Sequence, residues 1–184
     1  MSRRVQFDRY GPVDVLHVAE VPRPSAGEGQ VLVEAAAGIN PGEIAIRNGA
    51  TEAMFPATFP SGQGSDFAGR VVETGPGVTR FAPGDEVMEW SDRRSAQADH
   101  VLSDPRHLIA KPPALGWIRA GALWVAPHLI DTIIDFDGAQ RHGAKTDASP
   151  QASDPDIVAT MAENVAGGRL SMPTAAIPPA GAGA

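Results

Sequence analysis

Apolar and polar positions alternate over short runs divided by Gly- and Pro-containing turns, and this pattern predicts strands along the first 110 or so residues. Val5–Phe7 and Leu16–Glu20 read as short strands on either side of the turn Tyr10-Gly11-Pro12. Gln30–Ala37 is the clearest early strand, with Val31, Val33 and Ala35 on one face and Leu32, Glu34 and Ala36 on the other. After the turn Gly38–Gly42, residues Glu43–Asn48 suit one or two helical turns stopped by Gly49. Glu43 and Arg47, four residues apart on that helix, are expected to form a structural ion pair. Met54–Gly64 is rich in Pro, Phe and Gly and reads as a loop. Strand composition then returns at Asp66–Thr74, Glu86–Glu89, His100–Leu102 and Leu108–Ala110. Strands this short, with turns this regular, predict a barrel-like or sandwich-like domain up to about residue 112.

Beyond Pro112-Pro113 the pattern changes period. Leu115–Val125 suits a helix and Ile130–Ile134 a buried strand, while Gly138–Asp154 is polar and reads as a loop. Asp154-Pro155 is a helix start, and the helix to about Val165 would carry Val158, Met161, Ala162 and Val165 on one face, ended by Gly167-Gly168. Residues Ile177–Ala184 hold nothing to bury and are expected to be disordered.

Composition narrows the function classes. Gly 20 and Pro 17 make about a fifth of the 184 residues, which favours turns and strands over a helical bundle. A net charge of -7, with Arg3-Arg4 and Arg93-Arg94 as the basic doublets, argues against a nucleic-acid surface. Cys 0 excludes disulfides, thiolate zinc sites and thiol catalysis. No apolar run approaches the roughly 20 residues of a membrane-spanning helix, and the polar N-terminus lacks a secretory core, so a cytoplasmic location without membrane partners is expected. The five histidines (His17, His100, His107, His128 and His142) are scattered and lack metal-ligand spacing. No Ser/His/Asp set and no paired carboxylates stand out at the spacing of a hydrolase.

An ordered set of motifs carries a resemblance. Ala35-Ala36-Ala37-Gly38-Ile39-Asn40-Pro41-Gly42-Glu43 leads to Ile46-Arg47-Asn48-Gly49, and then to Phe59-Pro60 and Gly64-Ser65-Asp66-Phe67-Ala68-Gly69. Val71-Val72, Gly75-Pro76-Gly77-Val78-Thr79-Arg80-Phe81, Gly84-Asp85-Glu86-Val87, Lys111-Pro112-Pro113 and Ala120-Gly121-Ala122-Leu123 complete it. In these blocks the chain resembles the zinc-independent, quinone-oxidoreductase-like branch of the medium-chain dehydrogenases/reductases. That resemblance implies a mainly β domain with a few helices (α+β), a GroES-like β-barrel on the substrate side, over residues 1–126. It also implies NADPH as cofactor, no zinc, a small apolar carbonyl or quinone as substrate, and room for a homodimer.

The family's Rossmann domain is expected to open with a glycine-rich turn just after Ala126. Residues 127–176 instead resemble the part of the family that follows the Rossmann strands and packs back on the barrel, so that domain is expected to be absent or vestigial. The nearest approach to G-x-G-x-x-G is Gly62-Gln63-Gly64, with Phe67 at the third glycine position and strand-like residues following, which supplies no helix N-terminus for a pyrophosphate. The expectation is a chain that does not use a nicotinamide cofactor on its own.

Three residues are candidates for facing substrate or cofactor: Asn40, Gln63 and Asp66. Matched to the family's Asn, the Asn40 amide would orient the nicotinamide or the substrate carbonyl; before Pro41 it also suits a plain turn residue. Gln63 lies in the loop that borders the same pocket, or is a solvated loop residue. Asp66 reads as a strand-start carboxylate held by backbone donors, or as a direct participant. Zinc-using relatives place Cys near Asn40 and a His-Glu pair near Ser65-Asp66, which this chain lacks, and Ala45 stands where several relatives carry an aromatic beside the cofactor. Two other readings stay open: a non-catalytic GroES-like module that binds a small apolar ligand or a protein, and a decayed product that never folds stably.

Overall fold

The structure, a computed structural model, describes residues 1–90, 93–120 and 155–169. The order of elements is β1 (Ser2–Phe7), β2 (His17–Val21), β3 (Val31–Ala37), α1 (Pro41–Asn48), β4 (Ser61–Gly62), β5 (Asp66–Thr74), β6 (Glu86–Trp90), β7 (His100–Ser103), β8 (Ile109–Ala110), α2 (Trp117–Ala120) and α3 (Pro155–Ala166). One sheet runs β2-β1-β4 and a second runs β7-β3-β5-β6-β8. All pairings among the described residues are antiparallel, and an isolated bridge from Arg4 to Ala98 joins the first sheet to the chain before β7. This is the mainly β architecture the sequence predicts. None of these pairings belongs to a parallel nucleotide-binding sheet.

Period-two alternation sorts the five-stranded sheet into two faces. Val31, Val33, Phe67, Val71, Phe81, Val87, Ala96, Val101 and Leu108 form the inner core. The next residue on each strand points the other way: Ala68, Met88 and Ile109 pack with Leu115 and Ala120 and with Val158, Ala162 and Val165 of α3. Those three α3 residues recur at the spacing of one helical stripe, so the predicted apolar face is the one that docks.

Two sequence expectations change. Leu32, placed on the face of Glu34, is fully buried, whereas Glu34 is exposed. The β3–β5 register shifts between Leu32, opposite Glu73, and Val33, opposite Val71; the bulge leaves Val72 unpaired and breaks the simple alternation. The loop 54–64 contains the two-residue strand β4, which pairs with β1 through Gln6 and Phe7. The other predicted strands and α1 form within a residue or two of their expected limits, except that β1 starts at Ser2, three residues before the expected Val5. The helix extension beyond Ala120, the cap at Asp154, the strand 130–134, the loop 138–154 and the tail 177–184 lie outside the described residues.

Gly69 makes the centre of this sheet feasible. A Cβ built there would lie 2.2 Å from the Glu34 carbonyl oxygen and 2.5 Å from Val33 Cγ1, both on β3. Its strand neighbours are Ala35 on one side and Val87 on the other. The close approach fixes β5 against β3, and so sets where Asp66, at the head of β5, meets the start of α1.

Candidate functional site

Strand β3 ends at Ala37, and the chain turns through Gly38 and Ile39 into α1, with Asn40 at the helix cap and Pro41 in the first turn. Gly38 N donates to the Asp66 carbonyl at 3.0 Å, which holds the turn beside the head of β5. The Asn40 side chain makes no capping bond to its own helix. Its Nδ2 donates to Asp66 Oδ1 at 2.5 Å instead. Asp66 is 5% exposed, and so is Glu43, three residues into α1.

The Glu43 carboxylate gathers three segments. Its Oε1 accepts the Ser65 backbone N–H at 3.2 Å, and its Oε2 accepts Gln97 Nε2 at 2.9 Å. Gln97 Nε2 also reaches the Gly38 carbonyl at 3.3 Å. The loop around Gly64 lies flat against the 94–97 segment: Gln97 N donates to Gln63 O at 2.9 Å and Ala96 N to Gly64 O at 3.1 Å. Gly64 has φ +93, and a Cβ there would sit 2.6 Å from Gln97 N, so conformation and contact both require glycine.

Two buried carboxyl groups thus share one neighbourhood. Burial is the main force pushing Glu43 up to about 7, with the Asp66 charge adding to it and bonds from Asn40 and Ser65 opposing it. Burial also pushes Asp66 up to about 6 against the Asn40 bond. Asn40 donates to both, so its NH₂ group is committed to the carboxyls. That orientation makes the Asn40 amide a poor donor to a substrate carbonyl.

Beside Glu43 lies a cleft lined by Phe7, Ile46, Gly62, Gln63, Gly64, Ser65 and Arg94. Gln63 is 7% exposed, and its side-chain Oε1 is buried without a hydrogen-bond partner. Arg94, the one described non-glycine residue at positive φ (51°), turns its guanidinium to the Pro56 and Phe55 carbonyls at 3.1 and 2.9 Å.

Residues 27–124 match the family model for the alcohol dehydrogenase GroES-like domain, more than half of the chain. The chain belongs to that family. Within it, this GroES-like domain is a quinone-oxidoreductase-like member of the medium-chain dehydrogenases/reductases. It is 33% identical over 131 residues to the chloroplastic quinone-oxidoreductase QR1 of Triphysaria versicolor, covering 68% of this chain and 40% of that protein. It is 33% identical over 126 residues to the quinone oxidoreductase of Pseudomonas aeruginosa, covering 67% and 37%. The crystal structure of Escherichia coli quinone oxidoreductase complexed with NADPH superposes with a TM-score of 0.61 at 28% identity, over 66% of this chain and 37% of that one. The quinone oxidoreductase from Coxiella burnetii superposes with a TM-score of 0.60 at 32% identity, over 65% and 40%. The chain therefore spans about two-fifths of the length of these relatives.

Of the candidate residues in the GroES-like domain, Asn40 and Asp66 are bonded to each other, and Gln63 lines the cleft next to Glu43. The expected Glu43–Arg47 ion pair does not form. Glu43 turns inward to Ser65 and Gln97, while Arg47 Nε donates to the Gly11 carbonyl at 3.3 Å. Two backbone-directed bonds on opposite sides of α1 outcompete an i, i+4 contact of a few tenths of a kcal/mol. Sequence reasoning missed Gln97 and the Glu43–Asp66 pair. Their separations of 54 and 23 residues from Glu43 leave no local signal.

Two of the described histidines have ordinary partners: His17 Nε2 meets Gln6 and Asp8, and His100 Nδ1 meets Ser2 Oγ. Among the described residues no group of three potential ligands is placed to hold a metal, and no helix is long and apolar enough to cross a membrane. A pyrophosphate does not fit the β3-to-α1 turn, where Pro41 offers no N–H, the Glu43 N–H is bonded to the Asn40 carbonyl, and a carboxylate occupies the first helical turn.

Proposed function

We propose that this chain is the substrate-side part of a zinc-independent, NADPH-dependent reductase of quinones or enones. The observation that carries this reading is the amide and carboxyl cluster of Asn40, Gln63, Glu43 and Asp66, built on a domain whose relatives include quinone oxidoreductases. In it the carboxyls hold the Asn40 amide by its nitrogen and leave a partner-free amide oxygen at Gln63. The β3-to-α1 turn does not fit a pyrophosphate, so no hydride-transfer step is assigned to it.

The chain's own contribution would be to seat a small planar carbonyl compound and to keep water away from it. Cytoplasmic location and dimer formation are part of the same proposal. A second reading, favoured by Phe7 and Ile46 in the wall of the cleft beside Gln63, is a GroES-like module that binds a small apolar ligand without catalysis. Titrating ¹⁵N-labelled protein with a small benzoquinone tests the substrate side. Shifts confined to the side-chain amides of Asn40 and Gln63 and the backbone of Gly62–Ser65 support it. Shifts elsewhere, or none, overturn it.

A further inference from the structure

The β3-to-α1 turn, α1 and the loop before β5 meet at one side chain that no motif marks. Gln97 Nε2 donates to Glu43 Oε2 at 2.9 Å and to the Gly38 carbonyl at 3.3 Å. Glu43 in turn accepts a bond from Asn40, and Gly38 stands just ahead of Asn40 in the turn. On its other side Gln97 reaches the second amide residue of the proposed site: its backbone N–H donates to the Gln63 carbonyl at 2.9 Å. The supports of Asn40 and of Gln63 therefore join at Gln97.

The backbone that carries this side chain is fixed from both directions. Gln97 O accepts the Val5 N–H of β1 at 2.8 Å, while its own N–H is held by the loop before β5. Ala98 N donates to the Ala96 carbonyl at 2.8 Å, a tight turn centred on Gln97. At Gly64 a Cβ would lie 2.7 Å from Gln97 Cγ, so any side chain there would push the Gln97 stem off its line to Glu43. Gln97 is also a neutral donor. It orders the Glu43 carboxyl without bringing a counter-charge to the Glu43–Asp66 pair.

We propose that Gln97 is a positioning residue for the substrate site: it ties the turn before Asn40 to the loop of Gln63, and so fixes how far apart the two side-chain amides stand. It touches no reacting atom. A planar carbonyl compound seated between those amides binds well only while that spacing is kept. This role rests on the substrate-side reading for what the spacing serves; the spacing itself rests on the hydrogen bonds alone.

The test uses the ¹⁵N-labelled 184-residue chain and benzoquinone. In the wild type the Asn40 side-chain NH₂ should give two well-separated proton signals, one moved downfield by its bond to Asp66. Gln97→Met keeps the stem and removes the donor. With the backbone amides of Val33, Phe67 and Val87 unchanged as the sign of a folded core, its Asn40 signals should draw together. Benzoquinone should bind about fivefold more weakly, the factor that goes with one lost hydrogen bond. Should that variant fail to fold, Gln97→Glu decides. At about pH 5 its protonated carboxyl donates to Glu43 and the Asn40 signals match the wild type, whereas at about pH 8 a third carboxylate faces Glu43 and Asp66 and the signals draw together. Asn40 signals that stay put in folded Gln97→Met, or that match the wild type in Gln97→Glu at both pH values, overturn the role. So does benzoquinone binding that is unchanged while those signals move. A wild type that binds no benzoquinone overturns the substrate-side reading instead, and the Asn40 signals still decide what Gln97 holds in place.

Discussion

Replacing Glu43 by Gln should make the protein more stable above neutral pH and less stable in mild acid, so that the two stability curves cross. The Glu43 carboxyl rises from 4.5 in its ordinary setting to about 7 in the fold, with burial as the larger cause and the Asp66 charge as the second. An acid whose folded value is raised keeps a proton that the unfolded chain has already lost. Folding stability therefore falls as pH rises from about 4.5 to about 7, and levels off above that. The full displacement corresponds to on the order of 3 kcal/mol. Asp66 acts with the same sign between 3.8 and about 6, but its charge is one cause of the Glu43 rise, so the two contributions do not add.

Glutamine carries no charge but has one acceptor oxygen, so Glu43→Gln forfeits the bond from either Ser65 N or Gln97 Nε2, worth about 1 kcal/mol. The variant should thus gain about 2 kcal/mol over wild type at pH 8 and lose about 1 kcal/mol at pH 4.5. Urea unfolding followed by tryptophan fluorescence across that range reads both values. Asp99 and Asp104 are held below the usual carboxylate range by Arg3 and Arg106, so their titration falls below this window. Wild-type stability that is flat between pH 5 and 8, or curves that run parallel for the two proteins, would refute the coupled-carboxyl reasoning.

Three further outcomes follow from the packing. Gly69→Ala should destabilise by about 3 kcal/mol or more, because the new methyl meets the Glu34 carbonyl on a neighbouring strand rather than a side chain that can move; urea midpoints check it. Lys111→Met should cost about 2 kcal/mol, since the buried Nζ donates to the Leu115 carbonyl at 2.8 Å and meets Glu86 at 3.1 Å. The half-exposed Glu86 rehydrates in that variant, but the carbonyl has no substitute donor, and the loss should persist at high salt. Ala162→Asp places a charge where α3 packs on Met88 and Ile109, and hydrogen exchange across 155–166 should rise at least tenfold while β3 and β5 stay protected.

Much of the fold was legible because the strands obey a simple alternation between turns. Phe67/Ala68, Val87/Met88 and Leu108/Ile109 each send one residue to the barrel interior and the next to the face under α3. Alternation failed where it met a register shift, and Leu32 is buried because β5 carries an extra residue opposite it. Strand β4 was not legible, because two residues hold no period and its pairing partner β1 lies more than 50 residues away.

The candidate site was half visible. Asn40 and Asp66 stood out as motif residues and prove to be hydrogen-bonded, but that the Asn40 amide bonds across to β5 and leaves its own helix uncapped could not be read from its place before Pro41. Glu43 was assigned to the nearest opposite charge in sequence. Its real partners, Ser65 and Gln97, offer neutral donors from distant segments, and burial at 5% exposure is the property that gives them precedence. Neither Gln97 nor the partnerless oxygen of Gln63 has a sequence signature, since both depend on how the loop around Gly64 lies against the 94–97 segment.

The central proposal is that these 184 residues supply the substrate side of a quinone or enone reductase and do not by themselves bind NADPH. Incubating the purified, folded 184-residue chain with NADPH and a small quinone, and following NADPH consumption alongside a calorimetric titration of NADPH into the chain, tests it most directly. The account predicts no saturable heat of NADPH binding and consumption no faster than the uncatalysed rate. Saturable binding accompanied by turnover would contradict it.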